Sequence, residues 1–98
     1  MEKKLNKYET IFVVSGELEE TAAKAVAEKF TSLISTNGSI DQLSDWGKRR
    51  LAYPINDILD GYYTLVNFTT DSEFPKELDR IYNITDGVLR SIIVKRDE

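Results

Sequence analysis

Apolar positions along this chain change spacing from element to element, and the changes mark out six pieces. Tyr8 to Val14 is dense in β-branched and aromatic residues, with no Gly or Pro, and predicts a strand apolar on both faces. Ser15-Gly16 ends it. Leu18, Ala22, Val26, Phe30 and Leu33/Ile34 then recur at steps of three and four, the stripe of an amphipathic helix. Glu17, Glu19 and Glu20 suit the positive end of that helix, and Asn37-Gly38 offers a left-handed stop. Ile40 to about Tyr53 reads as a second, long strand, with a bulge or bend at Gly47 and with Pro54 kept to its end or to an edge. Asn56-Asp57 and Asp60-Gly61 bound a turn, after which Tyr62 to Thr69 returns as a third strand. Ser72 is placed to cap a second helix, with Pro75 in its first turn and Phe74, Leu78, Ile81 and Tyr82 on its apolar face. Asp86-Gly87 breaks it, Val88 to Val94 forms the fourth strand, and Lys95-Arg96-Asp97-Glu98 is a charged tail.

Strand–helix–strand–strand–helix–strand is the split βαβ, ferredoxin-like α+β arrangement. Right-handed crossovers place both helices on one face of a four-stranded antiparallel sheet. Residues 1–98 carry no linker, repeat or low-complexity tract, so a single domain is expected.

The uncovered face of such a sheet should alternate to polar residues. Here it does not. If Thr10, Phe12 and Val14 face the helices, Ile11 and Val13 face away; if Thr64, Val66 and Phe68 face inward, Tyr63 and Leu65 face outward. A contiguous patch of that kind marks an interaction surface, unless a tail or the bent strand folds over it.

Composition narrows the chemistry. Cys and His are absent, which removes disulfides, thiolate catalysis, the usual proton shuttle near neutral pH and the commonest zinc ligand. No Gly-rich phosphate cradle or calcium-loop spacing occurs, and Ser15-Gly16 is followed by acids that would repel an anion. Neither an enzyme nor a cofactor is therefore expected. No apolar run approaches the roughly 18 residues needed to span a bilayer, and the N-terminus lacks a signal-peptide core, so a cytoplasmic domain without membrane contact is the default.

Charge sharpens the picture by position more than by sum. The net charge is −4, against indiscriminate polyanion binding, yet Lys48, Arg49 and Arg50 stand together between Trp46 and Tyr53. Cations interleaved with aromatics suit RNA: charges meet phosphates, and flat rings stack on exposed bases. Lys3, Lys4 and Lys7, with Arg90, Lys95 and Arg96, would enlarge the patch if the fold brought them together. Asp60 to Phe68 only partly resembles the RNP1 pattern of RNA-recognition motifs: an acid stands where its first cation belongs, and the aromatic spacing is off by one.

Lys7-Tyr8-Glu9-Thr10, the run from Trp46 to Ile55 (WGKRRLAYPI), Gly61-Tyr62-Tyr63, and Val88-Leu89-Arg90 to Val94-Lys95 resemble, in order and over essentially the whole chain, the bacterial ribosomal protein S-six family. The resemblance implies the ferredoxin-like fold and a non-enzymatic component of the small ribosomal subunit. Its members bind 16S ribosomal RNA, in the central domain or platform, together with ribosomal protein S-eighteen. By that resemblance Lys48, Arg49 and Arg50 would contact RNA, with Arg90 and Lys7 contributing from neighbouring strands. Trp46 and Tyr53 would either stack on bases or pack beneath the cations. Ile11, Val13, Tyr63 and Leu65 would meet the protein partner. The chain is expected to be a monomer when free. Two rivals share the topology: a homodimer paired through open sheet faces, and a small phosphatase, which would want a basic first loop.

Overall fold

The computed structural model describes residues 5–55 and 58–96. Lys3, Lys4, the expected turn at Asn56-Asp57 and the tail residues Asp97 and Glu98 lie outside the described residues.

Six elements follow in the expected order: β1 Asn6–Ser15, α1 Glu20–Asn37, β2 Ser39–Ile55, β3 Ile58–Thr70, α2 Phe74–Ile84 and β4 Val88–Arg96. The strands form one antiparallel sheet in the order β2-β3-β1-β4, so β2 and β4 are its edges. Alternation along β1 and β3 sends Tyr8, Phe12, Val14, Val66 and Phe68 to the side that both helices cover. There they meet Phe30 and Ile34 of α1 and Phe74, Leu78 and Tyr82 of α2. Phe12, Phe30 and Tyr82 form a tilted aromatic triangle with centroids 4.5–5.5 Å apart, the spacing at which ring quadrupoles attract.

Several local expectations are corrected. The helix begins at Glu20, so its buried stripe runs through Ala23, Phe30 and Ile34, and Ala22 faces solvent. Leu18 packs against the core from the preceding loop, outside the helical register. Gly38 does not stop α1 by a left-handed turn: it is extended (φ −168°, ψ −154°), and a Cβ there would run into the Thr69 carbonyl oxygen. Ser72 does not cap α2. Asp71 Oδ1 does, accepting from the amides of Glu73 and Phe74 at 3.0 Å each. Asp60-Gly61 lies within β3, which starts at Ile58, so the β2–β3 hairpin is longer than the turn signals imply.

Candidate nucleic-acid interface

Two of the three irregularities in the pairing of β2 shape this surface; the other, at Asp41, lies near the start of the strand. The first is the bulge expected at Gly47. Asp45 pairs with Thr64 and Gly47 with Tyr63, leaving Trp46 as the extra residue. Gly47 takes φ +73°, which glycine tolerates best, and its amide donates to Asp45 Oδ1 at 2.9 Å. The freed Trp46 ring stacks on Tyr63, centroids 6.3 Å apart and planes 20° apart, and stays 43% exposed.

Beyond the bulge Lys48, Arg49 and Arg50 pair with Tyr62, Gly61 and Asp60. Alternation splits them. Lys48 turns to the helix side, its Nζ 5.9 Å from the Tyr62 ring centroid. Arg49 lies opposite the side-chain-free Gly61, and its Nε donates to the Trp46 backbone carbonyl at 3.0 Å. All three cations are exposed, and among the described residues no ion pair engages them. A half-open cleft of about 240 Å³ lies between α1 and β2, but Glu20 and Asp45 balance Lys24 and Lys48 along it, so its lining is not an anion site.

The second irregularity was not anticipated. Arg50 pairs with Asp60 but Ile55 pairs with Ile58, so β2 spends Leu51, Ala52, Tyr53 and Pro54 where β3 spends only Leu59. The excess bends the end of the hairpin over the face the helices leave bare. Leu51 reaches Val13 across Gly61, where any Cβ would overlap Val13 Cγ1. Val13 is consequently 3% exposed, which corrects its assignment to an exposed partner surface. Ile11 and Leu65 pair with each other and stay half-buried on the bare face, as does Tyr63 two pairs further along. Tyr53 is 79% exposed.

The remaining cations do not converge on β2. Arg90 sits on β4, three strands from Lys48, Arg49 and Arg50 in the sheet order, and it is the apolar bent end of β2, not these cations, that comes to its side. Lys7 pairs with Thr69 and Arg96, six residues along β1 from Val13 and hence about 20 Å towards the opposite end of the sheet. The condition for one enlarged patch is not met among the described residues: the cations stand at separate points around an apolar centre. Sequence reasoning also missed two members of that centre: Ile92 and Val94 of β4, about half exposed, beside Ile11. In Ile92-Ile93-Val94 all three residues are apolar, so only the register shows which face each takes. Among the described residues no three acids gather as a metal site.

Known proteins align with this arrangement along its length. The family model for ribosomal protein S6 matches residues 7–95. The small ribosomal subunit protein bS6 of Clostridium perfringens (strain SM101 / Type A) is 54% identical over 95 residues, covering 96% of this chain and 100% of that protein. Its counterpart in Clostridium botulinum (strain 657 / Type Ba4) is 48% identical over 94 residues, covering 95% and 100%. The crystal structure of 30S ribosomal protein S6 from Thermotoga maritima superposes with a TM-score of 0.88 at 27% identity, covering 95% of this chain and 89% of that one. The chain belongs to the ribosomal protein S6 family, whose members are structural, non-catalytic components of the bacterial small ribosomal subunit in the cytoplasm.

Proposed function

We propose that the chain binds 16S ribosomal RNA in the platform of the small subunit through Lys48, Arg49 and Arg50, together with ribosomal protein S-eighteen, which meets the bare sheet face. One observation carries the RNA reading: three exposed cations without ion-pair partners among the described residues line an edge strand beside a partly exposed Trp46 and a protruding Tyr53. Cations not neutralised internally can release counterions from phosphate, and exposed rings can stack on unpaired bases. Lys7 acts as an outlying contact, and Arg90, opposite Val13 on the bare face, lies where the protein partner would meet the sheet. The apolar centre of the bare face gives a protein partner something to bury, which reconciles RNA association with a net charge of −4. The free chain is a monomer.

The test is charge reversal, Arg49→Glu with Arg50→Glu, in assembly onto ribosomal RNA over a range of salt. Losing two phosphate contacts lowers the magnitude of the log–log salt slope by about 1.4 to 1.8 and weakens binding at low salt most. Unchanged affinity with an unchanged slope overturns the assignment. Light scattering on the purified chain checks the monomer.

A further inference from the structure

Where the hairpin bends over the sheet it leaves a cavity of about 80 Å³, lined by Val13, Leu51, Tyr53, Ile55, Tyr63 and Arg90. We propose that this cavity is a socket for an aliphatic side chain whose own or adjoining carboxylate pairs with Arg90, presented by a protein partner. The inference rests on the reading that the bare face meets protein. Its volume is about half that of the roughly 150 Å³ apolar cavity that admits benzene, so its size matches a branched aliphatic group better than an aromatic base. Apolar side chains make the larger part of its wall: Val13 and Leu51 meet over the missing side chain of Gly61, and Ile55 and the Tyr63 ring line the sides. Its one cation is Arg90, exposed and without an ion pair among the described residues, so the charge that complements the socket is an anion beside the apolar group. The surroundings favour protein over RNA. Ile92 and Val94, each about half exposed on the same strand, extend the apolar surface that a protein partner can bury.

The probe is N-acetyl-leucinate, titrated into the labelled full chain while amide and methyl resonances are followed. Saturable shifts at Val13, Leu51, Ile55 and Arg90 are expected, half-maximal in the millimolar range for so small a ligand. The uncharged N-acetyl-leucine amide should bind about tenfold more weakly, as should leucinate to Arg90→Gln, whereas Arg90→Lys keeps most of the affinity. Shifts absent or scattered over the surface overturn the socket, as does acetate binding as well as leucinate. Uridine monophosphate shifting the same residues more strongly than leucinate overturns it in favour of an RNA contact. Co-sedimentation of the unsubstituted chain with small subunits reports separately on the ribosomal reading. Leucinate binding present in the unsubstituted chain and lost in Arg90→Gln supports the socket, and an unsubstituted chain that associates with small subunits but does not bind leucinate removes the socket alone.

Discussion

At Tyr82 a buried hydroxyl ties α2 to the sheet: it donates to Thr10 Oγ1 at 3.1 Å, and Thr10 donates in turn to the Ile92 carbonyl at 2.8 Å. Burial, more than any neighbour, pushes the phenol pKa upward, with the Thr10 hydrogen bond opposing it. The folded state therefore keeps a proton that the unfolded chain begins to release near the ordinary phenol value of about 10. Stability is full below that pH and falls as pH rises above it, because the unfolded state binds fewer protons there. Tyr82→Phe should flatten this alkaline decline while costing about 1 kcal/mol at neutral pH, both read from urea unfolding at several pH values. Gly61 offers a second single-residue test. Gly61→Ala should destabilise the fold by about 1–3 kcal/mol through overpacking against Val13, and should loosen the Leu51 contact seen in methyl spectra.

Elements in this protein are bounded by side chains one residue from where composition points. Ser72 and Asp71 are both competent caps by type, and only the path of the chain into α2 decides between them. Asp71→Ala should therefore cost about 1 kcal/mol in urea unfolding, and Ser72→Ala should leave the midpoint nearly unchanged. A similar displacement occurs in α1, where a start at Glu20 moves the buried stripe from Ala22 to Ala23. In β2 the Gly47 bulge was visible in the residue itself, since glycine inside a strand pattern signals an irregularity. The larger slip at residues 51–54 was not: Leu51-Ala52-Tyr53 reads as ordinary strand, and its excess length is defined only against the partner strand.

For the molecule as a whole, the register turns a list of cations into a layout. Lys7 and Arg49 lie towards opposite ends of the sheet with Ile11 and Leu65 between them. Their contributions to RNA assembly should be independent, so the double variant Lys7→Ala/Arg49→Ala should lose the sum of the two single losses to within about 0.5 kcal/mol. A coupling well above that, measured by a double-mutant cycle, would mean one shared RNA contact reaching across the sheet. Trp46 is the only tryptophan and stacks at the border between the cations and the apolar centre. Its fluorescence should respond to occupation of either side.

Apolar spacing and the turn residues between the runs determined the six elements and their order, because side-chain periods of 2.0 and 3.6 follow from backbone geometry that each element carries locally. The run from Trp46 to Ile55 also announced its chemistry, since charge and aromaticity belong to residue type. Tertiary structure decided what is bare. Val13 has the same alternation as Ile11, yet one is sealed and the other half open, because the hairpin bends over the first and not the second. Exposure depends on which distant segment arrives, and that is set by strand pairing summed over the whole sheet, a quantity no local stretch of sequence contains.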